Sequence, residues 1–269
     1  MLTASIVSYH HRTSEIHKVI DCVLAGPVDK LFIIDNSSDD RLRELEGVSD
    51  RIRYIHSINR GYGAGHNIAI REAMEVGATY HAIVNPDIYF GEGVFEQLVA
   101  YMNVNKEIGL VMPKILYPNG ELQYLCKLLP TPFDLLLRRF GLWEKYREKR
   151  DIRYELRFAD YNQEMQVPSL SGCFMFARMS ILKQVDGFDE RYFMYAEDLD
   201  LCRRIGKVAQ TMYYPKVSVY HAYAKGSYKN RRLLRYHMCS MIKYFNKWGW
   251  LWDIERKTIN KRVLNKLGK

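Results

Sequence analysis

Long apolar runs are missing from this 269-residue chain. No stretch approaches the roughly 18 to 20 apolar residues that a membrane-crossing helix requires. The opening, MLTASIVSYHHRTSE, lacks the basic-then-apolar layout of a secretory leader, and polar residues interrupt it every few positions. The chain therefore reads as cytoplasmic, at most lying against a membrane. Cysteine is sparse as well. Cys22, Cys126, Cys173, Cys202 and Cys239 are scattered, odd in number and never paired at metal-ligand spacing, which excludes a disulfide framework and a zinc site. Internal repeats and low-complexity tracts are also absent, which sets aside solenoids and disordered linkers.

With 48% hydrophobic residues, the chain has enough apolar material for one large α/β domain or two small ones. Its net charge of +9 is unevenly placed. From Lys225 to Lys269 there are thirteen Lys or Arg against Asp253 and Glu255, which leaves the first 224 residues at −2. A nearly neutral domain over 1–224 is thus followed by a basic, aromatic-rich tail over 225–269. No nucleic-acid recognition motif accompanies the basicity, so no nucleic-acid partner is expected.

Strand and helix signals alternate along the first half, as βαβ units require. SIVSY reads as a first strand, followed by a helix from about Thr13, with Thr13 or Ser14 as its cap and Ile16, Val19, Ile20, Val23 and Leu24 at helical spacing. LFII (31–34) and IRYIHS (52–57) read as the next strands. A glycine-rich loop from Asn59 to Gly65 leads to a helix from about His66 to Val76. HAIV (81–84) is a strand ending in Asn85-Pro86-Asp87, followed by a helix from about Val94 and a strand at 109–112. Residues 120–166 have weak periodicity and carry no assignment. VPSLSGCFMFAR (167–178) reads as a strand, residues 187–205 as a loop running into a helix, and 211–225 as one or two further strands.

Ligands of open α/β sheets bind beyond the carboxyl ends of the strands. Three strands here end in polar, turn-forming clusters: Tyr9-His10-His11-Arg12, Asp35-Asn36-Ser37-Ser38 and Asn85-Pro86-Asp87. Downstream, Glu197, Asp198 and Asp200 crowd the start of a helix. The helix dipole favours acids there whatever their role. Asp200 stands three and four residues before Arg203 and Arg204, so pairing on the helix face accounts for it. Glu197 and Asp198 have no such partner and are the candidates for chemistry.

In order, SYHHR, DNSSDD, NRGYGAGHN, NPD, SGCFMFAR, GFDERYFMYAEDLDLCRR and His221 resemble the family 2 glycosyltransferases of the GT-A fold, and in particular their rhamnosyltransferase-like branch. The resemblance covers roughly residues 3–224. It implies a Rossmann-like nucleotide-binding half, a mixed, mainly parallel sheet, and inverting transfer of a sugar such as rhamnose or another hexose in bacterial surface polysaccharide synthesis. The implied donor is a dTDP- or UDP-sugar, and the implied acceptor a saccharide or lipid-linked saccharide. Mg²⁺ or Mn²⁺ would neutralise the diphosphate, with Asp87 and His221 as its ligands. Asn85 replaces the commoner first aspartate, so the protein lends the metal less charge. The resemblance makes Asp198 the general base and lets Glu197 orient the acceptor.

The same resemblance places nucleotide contacts at the strand ends, with Tyr9, Arg12, Asp35 and Ser37 as candidates. A carboxylate at Asp35 suits the N3–H of a uracil or thymine ring, although Ser37 and Asp39 equally suit an Asx-type turn. Arg60 would meet the diphosphate, Gly61 would let the backbone approach it, and Asn85 and Asn67 complete the set, although Asn67 equally suits a cap of the helix that it opens. In the tail, cations interleaved with Trp248, Trp250 and Trp252 suit contact with the inner membrane surface, or equally a helix packed on the domain. Two other readings are a nucleotidyltransferase and a non-catalytic nucleotide-binding or membrane scaffold. The AEDLD string weighs against the first, and joint retention of Asp87, Asp198 and His221 against the second.

Overall fold

The computed structural model describes residues 1–134, 144–222 and 231–268. Its core is a mixed sheet containing β1 (Leu2–Ser8), β2 (Lys30–Asp35), β3 (Ile52–His56), β4 (Tyr80–Val84), β5 (Ile88–Tyr89), β6 (Ile108–Leu116), β7 (Met165–Gln166), β8 (Phe174–Arg178) and β9 (Gln210–His221). The strand order is β3-β2-β1-β4-β8-β6-β9-β5, with β7 pairing β9. Strands β1 to β4 are mutually parallel, as are β6 and β9, while β8 runs antiparallel between β4 and β6. All seven residues of β1 are buried, as expected for a central strand covered on both faces. This is the GT-A-like architecture.

The helices are α1 (Thr13–Ala25), α2 (Tyr62–Glu75), α3 (Val94–Val104), α4 (Glu144–Tyr154), α5 (Met179–Gln184), α6 (Glu197–Ile205), α7 (Arg231–Trp248) and α8 (Ile254–Lys266). Several boundaries differ from those read in the sequence. Thr13 is already helical, so Arg12 is the N-cap, and its N–H is taken by the Glu15 carboxylate at 2.7 Å. Helix α2 starts at Tyr62 rather than His66, because Gly61 turns the chain at φ 108° and delivers Tyr62 N–H to the Phe193 carbonyl at 2.9 Å. Within the expected strand 167–178, only Phe174–Arg178 is in the ladder. Helix α4 occupies part of the unassigned 120–166 stretch. The expected 224/225 boundary, and any strand beyond Ala222, lie outside the described residues.

The C-terminal helices are bound to the domain by a second apolar cluster. Met241, Tyr244 and Phe245 of α7 pack with Leu129, Tyr192, Ala196 and Leu199. A polar lock accompanies it, and it corrects the expected pairing of Asp200 with both arginines. Asp200 is fully buried and receives Arg204 Nε at 2.7 Å, Lys247 Nζ at 2.7 Å and Trp248 Nε1 at 2.8 Å. Arg203 turns instead to Asp253, donating two hydrogen bonds at 2.7 and 2.8 Å, and to Glu255 at 2.9 Å. Helix-face pairs of the exposed kind are worth a few tenths of a kcal/mol, but removing one member of a buried ionic cluster strands its partners.

Asp200→Ala is therefore expected to lower unfolding stability by about 3–5 kcal/mol, read as a shift in the urea midpoint. A shift of a few tenths of a kcal/mol, the size of an exposed helix pair, would contradict the buried lock. Burial alone would raise the Asp253 carboxyl, but its bonds to Arg203 and the Arg256 N–H outweigh this and hold it below its usual range. The stability it contributes is present at neutral pH and is lost as pH falls through that lowered value.

Candidate active site

The carboxyl ends of β1, β2, β4 and β9 open on one edge of the sheet, and β8 enters the sheet at that same edge. Strand β5 folds back antiparallel on the end of β9, placing Ile88 opposite His221. The Asp87 carbonyl accepts the Ala222 N–H at 3.0 Å. This register sets the Asp87 carboxylate against the His221 ring, with Oδ1 3.3 Å from Nε2. Oδ1 is cut off from solvent yet has no aligned hydrogen bond.

The tautomer of His221 follows from Gln123. Its amide Nε2 donates to the His221 carbonyl at 2.8 Å, which turns Oε1 toward His221 Nδ1 at 3.0 Å. Nδ1 must then be the donor, leaving the Nε2 lone pair facing a carboxylate oxygen. Two lone-pair-bearing atoms at that separation require a proton or a cation between them. Burial would depress the imidazole, but contacts with Asp87 and Cys173 outweigh it and raise its pKa to about 10. The 3.3 Å separation also fits adjacent corners of an octahedral cation site, where ligands about 2.1 Å from the ion stand about 3 Å apart. An oxygen and an imidazole nitrogen oriented by a second residue thus suit a divalent cation. Among the described residues no group of three or more His, Cys, Asp or Glu gathers for a metal, so two protein donors would leave the remaining corners to other ligands.

Tyr62 ties this pair to the helix start that carries the acids. Its hydroxyl lies 3.0 Å from Asn85 Oδ1 and 2.7 Å from the Gly172 carbonyl. Next to it, Asn85 N–H donates to the Cys173 carbonyl at 2.9 Å. Gly172 N–H in turn donates to Asp198 Oδ2 at 2.9 Å, and Leu199 N–H to Asp198 Oδ1 at 2.7 Å. Gly172 has no room for a larger side chain to spare, since a Cβ there would stand 3.2 Å from that of Asp198. Tyr195 and Ala196 precede the acids with φ of 69° and 66°, two successive non-glycine residues in the left-handed region. Such strain persists where surrounding contacts over-determine the backbone, often at functional sites.

Asp198 and Glu197 border a cavity of about 190 Å³ whose other polar lining includes Lys127, Ser169, Ser171 and His237. Glu197 is buried with Oε2 unpartnered among the described residues, and burial together with the neighbouring Asp198 charge pushes its carboxyl well above the usual range. A larger crevice of about 440 Å³ borders Asn67, Arg71, Arg204 and Lys247, but it contains none of Asp87, Asp198 or His221.

The remaining sequence candidates divide. Tyr9 is half exposed at the mouth of β1, and Ser37 Oγ accepts the His10 N–H at 2.8 Å, joining the loops after β1 and β2. Asp35 is fully buried, with one oxygen taking Ser37 N–H at 3.0 Å in an Asx-type turn and the other taking the Tyr54 hydroxyl at 3.1 Å. Arg12 points to Glu15. Arg60 is exposed. Two expectations are corrected. A Cβ on Gly61 would come within 2.1 Å of the Phe193 carbonyl oxygen, so this glycine serves close approach of protein to protein. Asn67 is neither a cap nor free for a ligand: it brackets Phe188, accepting its N–H and donating to its carbonyl at 2.8 Å each, and donates to Glu190 at 3.0 Å.

Residues 5–185 match the family model described as Glycosyl transferase family 2. This chain is a family 2 glycosyltransferase. Across 235 residues the glycosyltransferase is 28% identical to N-acetylglucosaminyl-diphospho-decaprenol L-rhamnosyltransferase of Mycobacterium tuberculosis, covering 80% of this chain and 74% of that protein. It is 24% identical over 257 residues to rhamnosyltransferase WbbL of Escherichia coli K12, covering 91% and 92%. Its fold is similar to that of GalNAc-T7, solved with UDP, GalNAc and Mn²⁺, at a TM-score of 0.62 and 13% identity, covering 83% of this chain and 44% of that one. Membership of the family sets aside the nucleotidyltransferase reading.

Sequence reasoning missed Tyr62, Gln123 and Gly172 as parts of this site. Tyr62 and Gly172 stood inside quoted motifs, one in a glycine-rich loop and one among small residues at the start of a strand, where neither residue type marks a site by itself. Gln123 lay in the aperiodic stretch, where no local signal separates it from other polar residues. Tyr62→Phe is expected to cost about 1–3 kcal/mol, because it removes the hydroxyl shared by Asn85 and Gly172. An unchanged denaturation midpoint would show that the hydroxyl holds nothing.

Proposed function

We propose that this glycosyltransferase moves a sugar, with inversion, from a dTDP- or UDP-sugar to a hydroxyl of a saccharide or lipid-linked saccharide, with rhamnose as the leading sugar. The observation that carries the reading is the short bonded path from Asn85 through the Tyr62 hydroxyl and Gly172 to Asp198. That path fixes a carboxylate at a set position relative to the Asp87–His221 pair. The sugar and the lipid-linked acceptor are supported by the rhamnosyltransferase relatives, and the nucleotide and metal by the UDP and Mn²⁺ of GalNAc-T7.

Asp87 and His221 would hold Mg²⁺ or Mn²⁺, with Asn85 beside them lending no charge. When bound, the cation supplies Lewis-acid neutralisation of the diphosphate leaving group. Half-exposed Tyr9 is available to a base at the ends of β1 and β2, where buried Asp35 and Ser37 shape the turn, and exposed Arg60 is available to a phosphate. Asp198 has both oxygens facing N–H donors and accepts the acceptor's hydroxyl proton as that oxygen attacks the anomeric carbon. Attack from the face opposite the leaving group inverts the centre.

Glu197 does different work with the same functional group. Kept protonated by burial and by Asp198, it donates a hydrogen bond to the acceptor and does not compete as a base. The two acids are thus separated by environment. Among the described residues no helix is long and apolar enough to cross a membrane, and we place the enzyme in the cytoplasm, at the inner membrane face when its acceptor is lipid-linked.

Asp198→Asn retains shape and hydrogen bonding but cannot take the proton. Transfer is expected to fall about 10²- to 10⁴-fold, while calorimetric affinity for nucleoside diphosphate is unchanged. Transfer at the parent rate would exclude Asp198 as the base. Asp87→Ala is expected to lose the Mn²⁺-dependent part of nucleoside diphosphate binding, and His221→Ala some of it. Affinity in Asp87→Ala equal to the parent's, with Mn²⁺ present, would overturn the metal assignment.

A further inference from the structure

The connection between α7 and α8 holds a group of apolar side chains in water. Trp250, Leu251, Trp252 and Ile254 are 43%, 70%, 87% and 78% exposed. Isolated exposed apolar residues are ordinary, but four large ones within five positions form a patch that calls for an explanation. Their backbone is tied from beneath. The buried Arg256 guanidinium donates to the carbonyls of Trp250 at 3.0 Å, Pro130 at 3.3 Å and Gly249 at 3.4 Å. Asp253, buried and bonded to Arg203, caps α8 by accepting the Arg256 N–H at 2.8 Å. The fold therefore fixes the backbone of a turn that leaves these apolar side chains exposed.

Two further exposed residues, Met238 and Ile242, lie one helical turn apart on α7. They flank His237 and Met241, which line the cavity beside Asp198. The apolar strip thus runs along α7 from the cavity toward the 249–254 turn. Around it the exposed charges are overwhelmingly positive: Arg235, Lys243, Lys257, Lys261 and Arg262. Residues 231–268 carry ten Lys or Arg against Asp253 and Glu255, and those two acids face Arg203. A second copy of this chain would bring like charges together at its rim. An anionic lipid surface answers both features at once, since Trp, Leu and Ile enter the headgroup boundary while Lys and Arg meet the lipid charge.

We propose that the Trp250–Ile254 turn, together with Met238 and Ile242, docks on an anionic bilayer surface and brings the Asp198 cavity to the membrane. This deepens the reading of a lipid-linked acceptor by assigning the face through which such an acceptor arrives. Vesicles containing no acceptor test it independently of that reading. The full chain is mixed with vesicles of phosphatidylcholine plus phosphatidylglycerol, and binding is followed by flotation. The exposed pair Leu251→Ser with Trp252→Ser is compared with the parent. The parent is expected to float with these vesicles, and the double variant to bind at least about tenfold more weakly with an unchanged thermal midpoint and unchanged transfer to a soluble acceptor. Equal binding of parent and variant would overturn the proposal. So would a parent that ignores vesicles but sediments as a dimer that the double variant breaks, which would assign the face to a second copy. Vesicle binding without any glycosyl transfer would leave the docking surface standing and refute the enzymatic reading alone.

Discussion

The hydroxyl of Tyr62 joins parts of the chain that are far apart in sequence, reaching Asn85 at the end of β4 and Gly172 just before β8. It can do so only because β8 runs antiparallel beside β4, so that one strand leaves the sheet where the other enters it. Gly172 passes the constraint on to Asp198 through its N–H. The ring of Tyr62 meanwhile leans on the buried His66 with centroids 4.5 Å apart, which sets it on the body of α2. Burial of the hydroxyl also keeps the phenol protonated, with the nearby Asp198 and Asp87 carboxylates acting in the same direction. A neutral hydroxyl thus stands between two carbonyl oxygens in an acidic region, its one proton directed to the nearer, that of Gly172.

Around that bridge, three carboxylates are given three environments. Asp87 meets an imidazole whose tautomer is set by Gln123, an arrangement that suits a cation. Asp198 meets backbone N–H groups, an arrangement that suits a proton acceptor. Glu197 meets neither and is driven toward its neutral form. A fourth, Asp200, is only two residues from Asp198 but on the other side of α6, where it serves to anchor α7. Helical periodicity alone separates chemistry from architecture here: a step of two residues turns the side chain through about 200°.

Much of this was legible in the sequence because it depends on local order. The strand ends that carry Asp35, Asn85 and Asp87 follow from apolar runs stopped by turn residues, and the motif series pointed to the GT-A-like fold. What was not legible depends on contacts distant in the chain. The NRGYGAGHN glycines suggested close approach to a ligand, yet Gly61 and Gly63 are held against Phe193 and Phe188, more than a hundred residues away. Asn67 suggested a cap or a ligand contact, but its amide matches the backbone of Phe188. The tail posed a choice between lipid and packing that composition cannot resolve. In the structure α7 packs on the domain through Tyr244 and Phe245, which are buried, while Met238 and Ile242 stay exposed.

Whether Asp87 and His221 share one cation is measured most directly by pulsed electron paramagnetic resonance of Mn²⁺ added to the enzyme with a nucleoside diphosphate. Coordination by His221 Nε2 predicts coupling to a single imidazole nitrogen together with phosphorus coupling from the diphosphate, and the nitrogen signal should vanish in His221→Ala while the phosphorus signal persists. Phosphorus coupling with no nitrogen coupling in the parent enzyme would contradict it, leaving the 3.3 Å contact between Asp87 and His221 as an ion pair only.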